Sequence, residues 1–352
     1  MRILIQHPHR DTDISGVLTY VRHMSDGLAR REGVQVRLVS TATAGWRELR
    51  RGVAWADVVH LNSNHPGAML LARIFRKRLV LKVHYMFYQS VYDSYEPKPP
   101  LKRFVAEVRF VASKSGLGTR YFWLTMVRLM TRLCVAYSAD VVLACSGFLA
   151  ESLALRKDVS VHYCPVEVSH GTSDPTLSMF AFAGRLDRDK GCDVAIRAIA
   201  SLRDTGLEAT LWIVGDGPER TALHELTREL GLDESVRFLG RRSHDETLMT
   251  LERAMAVIQP ARWQEPAGYT VAEAAAAGRP SIVAEVGGLP EMGGVEAWTF
   301  PREDVKALAG RMVHVLLHPE EASERGARAR QRAAAAFSVE RAADDLLALA
   351  VG

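Results

Sequence analysis

Little in this sequence points to a metal centre, a membrane span or export. Only 4 of its 352 residues are cysteine. Cys134, Cys145, Cys164 and Cys192 lack the paired spacing of a metal site and read as reduced core or loop thiols in a reducing compartment. The opening MRILIQHP is too short an apolar run for a signal peptide, and no stretch approaches a membrane span. A cytoplasmic protein is expected, with the inner face of the membrane as a second place its charge would suit. That charge is small, a formal +4 with a pI near 8.9. It suits acidic substrates or a membrane surface and is too weak to argue for nucleic acid. The glycine-bearing IVGDGP at Ile213–Pro218 lacks the third glycine of a dinucleotide fingerprint, which leaves NAD weakly supported.

What is present is length and rhythm. A chain of 352 residues with 48 % apolar and 24 % charged content fills two soluble cores. Short apolar strands are predicted at Arg2–Gln6, Val34–Ser40, Val58–Asn62, Leu79–His84, Asp140–Ser146 and Val159–Cys164. Helical patterns separate them; Val17, Tyr20, Val21, Met24 and Leu28 form one such stripe. The second half repeats the pattern with strands at Met179–Ala183, Ala209–Val214, Val236–Leu239, Met255–Pro260 and Ser281–Ala284. The expectation is an α/β protein of two Rossmann-like, doubly wound parallel-sheet domains facing across a cleft, with ligands at the carboxyl ends of the strands. The domains are placed at 1–168 and 169–330, with His170–Pro175 as linker and a closing helix over 331–352 packing back toward the first domain.

One segment breaks the rhythm. Tyr92–Ala139 carries a proline-rich turn and then Lys102, Arg103, Arg109, Lys114, Arg120, Arg128 and Arg132 among aromatic residues. Its composition favours two helices packed on the first domain with basic faces in water. A membrane-surface element and a lid over an acceptor are the alternatives.

The stretch QEPAGYTVAEAAAAGRP, Gln264 to Pro280, holds two glutamates, Glu265 and Glu273, after the predicted strand Met255–Pro260. Its alanines favour a helix, Gly278 suits the C-terminus and Pro280 prevents continuation. Were all eight residues between the glutamates helical, they would advance roughly 12 Å and return to the same side. Two carboxylates so placed could hold opposite ends of an elongated polar ligand, with the helix N-terminus near Ala267–Gly268 facing an anionic middle. A sugar nucleotide has that shape. Either glutamate alone reads first as a solvated side chain on an ordinary helix. In FAGRLDRDKGC, Phe182–Cys192, Arg185 and Lys190 on one strand-end loop could neutralise a diphosphate or be plain surface cations. His84 taken alone reads as a satisfied strand-end histidine.

In order, Gly184 with Arg185 and Lys190, then Gly215 and Gly217, then Leu239, Gly240 and Arg241, then Glu265 to Glu273, then GGLPE at 287–291, resemble the donor domain of retaining glycosyltransferases of family 4, with the GT-B fold. The match is densest from Phe182 to Glu291, and the EPxGxxxxE pair is its most specific part. The resemblance implies a first, acceptor-binding domain and a second, donor-binding one. It implies that Arg185 and Lys190 bind the donor diphosphate and that Glu273 takes the ribose hydroxyls. Glu265 would lie near the donor sugar, and Ala267, Gly268, Tyr269 and Thr270 would border sugar and phosphate. Leu239, Gly240 and Arg241 would lie beside the base. In the first domain, Gly16 matches a phosphate-approaching loop, His84 a histidine near the reacting carbon, and Ser146 a serine without an assigned role. Ala267 stands where the family usually has a large apolar residue, Ser15-Gly16 replaces paired glycines, and the turn 164–167 lacks the usual asparagine.

The implied activity is metal-independent transfer of a sugar, with retention, from a nucleotide diphosphate to an acceptor hydroxyl of a saccharide, glycolipid or small natural product. Uridine diphosphate is the default carrier by frequency alone. Glu265, Arg185, Lys190 and His84 are the catalytic candidates, no cofactor is expected, and domain closure would exclude water. Sugar-nucleotide epimerisation and binding without turnover are the rival readings on the same fold. Asp11-Thr12-Asp13 and Asp187-Arg188-Asp189 also spell the DxD of metal-dependent GT-A enzymes, whose single-sheet fold two Rossmann-like halves do not fit. Turnover that persists in excess chelator is the expected outcome, and its loss would favour the metal-dependent class.

Overall fold

The computed structural model describes residues 1–10, 15–114, 118–168, 178–203 and 205–351. The linker reading at His170–Pro175 and Asp11-Thr12-Asp13 lie outside them. The chain divides into two compact units: Met1–Pro165 with Val339–Gly352, and Val166–Ser338.

In the first unit a parallel sheet comprises β1 (Arg2–His7), β2 (Gln35–Ser40), β3 (Val58–Leu61), β4 (Arg78–Val83), β5 (Val141–Ala144) and β6 (Ser160–Val161). Their order is β2-β1-β3-β4-β5-β6. β3 is buried along its whole length and β4 for all but its first residue, because helices cover both faces and leave no solvated side to alternate toward. β6 pairs over only two residues, shorter than the expected Val159–Cys164 run. The chain leaves the sheet there: the ring of His162 donates to the Ala342 carbonyl (2.9 Å) on the closing helix Val339–Val351. That helix belongs to the first unit, where Arg31 binds Asp344 at 2.7 Å. Residues 331–336 instead finish the preceding helix, Pro319–Ala336, in the second unit.

The second unit contains β7 (Met179–Ala183), β8 (Thr210–Val214), β9 (Val236–Gly240), β10 (Ala256–Gln259), β11 (Ser281–Ala284) and β12 (Trp298–Phe300). All pair in parallel, in the order β12-β11-β10-β7-β8-β9. The strand sequence reverses direction between β7 and β10. Loops leaving such a switch point diverge to opposite faces and open a crevice at the carboxyl ends. The loop after β7 carries Gly184–Lys190 and the loop after β10 carries Ala261–Gly268. β12, three residues long, is too short to show a pattern in the sequence.

β7 reads MFAFA, with every residue buried. Phe180, its second residue, is fully enclosed. Phe180→Ala is expected to cost about 3–5 kcal/mol of second-unit stability through lost burial and the cavity left behind. A lowered urea midpoint checks it.

Candidate functional site

The residues singled out in the second unit gather at the carboxyl ends of β7 to β10. Backbone bonds fasten their loops together. Gly184 donates to the Val214 carbonyl (3.0 Å), Leu186 to that of Asp216 (3.0 Å), and Gly215 to that of Gly240 (2.9 Å). Gly215 adopts φ 140°, and a Cβ there would overlap the Gly184 carbonyl, so only glycine permits this approach. Gly217 lies against the Leu186 backbone, and Leu239, Gly240 and Arg241 continue from the end of β9. The terminal carbonyl of β7, on Ala183, accepts from Gln259 Nε2 (3.1 Å) and Thr270 Oγ1 (3.4 Å). That joins β7, β10 and the helix Tyr269–Ala276.

That helix begins four residues after Glu265, so only Glu273 of the glutamate pair is helical. The geometry of eight continuous helical residues therefore does not apply. Glu265 sits on the loop, which a second loop braces: Gly287 donates to Gln264 Oε1 (2.6 Å) and Gly288 to the Glu265 carbonyl (2.8 Å). Gly287 has φ 55°, and any Cβ there would overlap the Glu265 backbone.

The Glu265 side chain is buried and meets two donors at Oε1, the Lys190 ammonium and Trp263 Nε1 (2.6 Å). The Lys190 ammonium also lies 5.2 Å from the centre of the Trp263 ring. A charge-assisted bond and an indole N–H aimed at one oxygen fix the orientation of the carboxyl plane. The loop that presents Lys190 is held by Arg262. Its guanidinium spans Asp193 (2.7 and 2.6 Å), reaches Glu303 (2.7 Å), and donates to the Arg188 carbonyl (3.0 Å). Arg185 is placed otherwise: its side chain is largely exposed and its guanidinium pairs with Asp187, away from the Lys190–Glu265 contact.

Gly268 caps the helix Tyr269–Ala276 and has no side chain with which to bond its first N–H groups. Ala267 is buried beside it. First-turn N–H groups make such an end attractive to an anion. On the same helix Glu273 is 8 % exposed, and burial pushes its carboxyl up to about 7; His244 Nδ1 lies 3.5 Å away.

Gly16 and His84 belong to the first unit. Gly16 opens a helix capped by Ser15, whose hydroxyl accepts from Leu18 N (3.1 Å), and no described atom lies within 4 Å of where its Cβ would be. His84 follows β4, with Nε2 3.1 Å from Asn62 Oδ1 and its ring edge-on to Tyr20. Burial holds its imidazole below the usual range. Ser146 caps the helix Gly147–Ser152 through Leu149 N (2.9 Å), a structural task. Sequence reasoning passed over Trp263, Arg262 and Asn62. Trp263 alone left a trace, as an indole in a polar strand-end loop.

Residues 170–332 match the family model for glycosyl transferases group 1, somewhat under half of the chain. Glycogen synthase of Mycobacterium tuberculosis is 34 % identical over 191 residues, 54 % of this chain and 45 % of that protein. D-inositol 3-phosphate glycosyltransferase of Saccharomonospora viridis is 35 % identical over 183 residues, 48 % of this chain and 41 % of that protein. The chain thus spans less than half the length of these curated relatives. HepE of Anabaena, solved in complex with UDP-glucose, superposes with TM-score 0.74 at 16 % identity, over 99 % of this chain and 98 % of that one.

Glu273 gives a pH-dependent prediction. Its folded-state pKa, about 7, lies above the ordinary 4.5, so the folded form holds the proton longer than the unfolded chain. The buried charge therefore costs stability increasingly from pH 4.5 to about 7 and fully above, on the order of 3 kcal/mol. The melting temperature of Glu273→Gln relative to wild type should rise between about pH 5 and about pH 8 by the charge relief alone. A pH-independent difference would assign the carboxyl another environment. Two doubly wound parallel-sheet units make the fold that of the GT-B glycosyltransferases, and residues 170–332 match the family model of glycosyl transferases group 1.

Proposed function

We propose that the protein is a retaining glycosyltransferase that moves a sugar from a nucleotide diphosphate to an acceptor hydroxyl. The observation that carries this is one constellation at the β7/β10 switch point. It comprises the Lys190 ammonium and Trp263 N–H on Glu265, a helix N-terminus without a side-chain cap, and buried Glu273 on that helix. A cation and a helix tip suit a diphosphate, and a buried carboxylate beyond them suits a pair of ribose hydroxyls. HepE binds UDP-glucose, which makes UDP-glucose the first donor to test.

In the reaction the bond from the anomeric carbon to the phosphate oxygen breaks, leaving positive charge on the sugar and negative charge on the nucleotide. Lys190 stabilises the departing phosphate, and Arg185, released from Asp187, adds a second cation. These interactions strengthen as the charge builds, so they lower the barrier more than they tighten ground-state binding. The leaving phosphate oxygen takes the acceptor proton on the face it vacates, and the acceptor oxygen bonds there, which keeps the anomeric configuration. Glu265, oriented through Oε1, positions the sugar and offsets its positive charge. The balance needs no metal. Among first-unit residues, the family resemblance assigns Gly16 to the phosphates and His84 to the sugar.

Kinetics with UDP-glucose and a panel of hydroxyl acceptors test the reading, with the product anomer read by NMR coupling constants. Lys190→Ala is expected to lower kcat about 10²–10³-fold with a smaller change in donor affinity. Glu273→Ala should mainly weaken donor binding, by about tenfold to a hundredfold for two lost hydrogen bonds. Near-wild-type constants in both variants, or a product of inverted configuration, would overturn it.

A further inference from the structure

In the first unit the stretch between β4 and β5 forms two long helices, Pro100–Ser113 and Gly118–Ser138. The second turns Thr125, Met126, Leu129, Val135 and Ala136 inward. Its outward side is not polar. Trp123 (65 % exposed), Val127 (60 %), Met130, Cys134 and Tyr137 are all exposed. At 100° per residue these five fall within one stripe about 80° wide, and Leu124 widens it. Amphipathic helices of a folded core normally point such a stripe inward; here a second one points out.

The surface charges of this segment have one sign. Lys102, Arg109, Arg120 and Arg128 are exposed on the two helices, and Lys114 is exposed at the C-terminal cap of the first. The one acidic residue from 100 to 138 is Glu107, which is buried and accepts from the backbone N–H of Gln89 (2.7 Å) and Ser90 (2.9 Å). The other two arginines serve the fold: Arg103 is buried and donates to the Glu96 carbonyl, and Arg132 donates to that of Phe87 (2.8 Å). So the cations at the surface have no carboxylate beside them on either helix.

We propose that this face seats the protein on an anionic lipid bilayer. An exposed apolar stripe with an aromatic residue at each end, in a segment whose surface charges are all cationic, matches the headgroup boundary. There apolar side chains enter the acyl edge, Trp and Tyr sit at the interface, and Lys and Arg meet lipid phosphates. The helix lies in the surface and does not span it; no helix of the described residues is long and apolar enough to cross a membrane. The proposal is independent of the sugar-transfer reading.

Flotation of the full-length protein with vesicles tests it, using equal phosphatidylglycerol and phosphatidylcholine against phosphatidylcholine alone. Wild type should bind the anionic vesicles at least about tenfold more tightly, with affinity falling as salt rises. Trp123→Glu/Val127→Glu should lose at least about tenfold. Arg120→Gln/Arg128→Gln, which leaves the apolar stripe intact, should lose about fivefold per cation on the anionic vesicles. An environment-sensitive dye on Cys134, the exposed cysteine, should shift to the blue when those vesicles are added. Equal binding by wild type and both variants, or no vesicle binding, overturns the proposal. A concentration-dependent dimer abolished by Trp123→Glu/Val127→Glu, without vesicle binding, would give the stripe to a second copy of the chain.

Discussion

Arg262 is the joint on which the candidate site rests. Its guanidinium bridges Asp193 and Glu303 and donates to the Arg188 carbonyl, while its backbone N–H donates to the Asp189 carbonyl (2.7 Å). Those contacts tie the loop after β7 to the loop after β10, the two connections that a doubly wound sheet sends to opposite faces. Without such a tie, Lys190 and Glu265, 75 positions apart in the chain, would lie on independently moving loops. A planar fork with five donors makes four bonds to these groups at once, one more than the three N–H groups of a lysine could make.

The electrostatics on either side of that joint differ in kind. Glu265 is buried with an ammonium and an indole N–H at one oxygen, so its desolvation is offset within the unit. Glu273 is buried with an imidazole 3.5 Å away, and burial raises its proton affinity. An apolar residue there would suit folding better, and carboxylates kept at such a cost tend to mark ligand sites. The first unit contains another unusual group, Lys82, fully buried in β4. Its ammonium donates to the carbonyls of His162 and Ala144 and lies 5.1 Å from the Tyr20 ring centre, next to the residues that surround His84. Burial lowers its proton affinity, the Cys164 and Cys145 sulfurs nearby work against that, and two carbonyls and a ring face receive its charge.

Much of this was legible from local pattern. Runs such as MFAFA and LVLKVH read as buried strands because parallel sheets cover both faces, and the glycines at strand ends marked where backbone comes close to backbone. The spacing of Glu265 and Glu273 singled out the loop after β10 and the helix that follows it. It misled on geometry, because Pro266 and Gly268 keep the first half of that spacing out of the helix, which begins at Tyr269. Arg185 and Lys190 look equivalent in sequence, yet Asp187 takes the first and Glu265 the second. The basic, aromatic segment between β4 and β5 declared its charge but not which residues face water.

By itself the sequence determined the strand–helix alternation, the two doubly wound halves and the glycine-bearing loops at the strand ends, since each depends on neighbours within a few residues. Tertiary structure decided which side chains meet: Lys190 with Glu265, Arg262 with Asp193, and the outward turn of Trp123 and Val127. Those pairings join residues distant in the chain, and burial and hydrogen bonding act on distance in space, which no local pattern records.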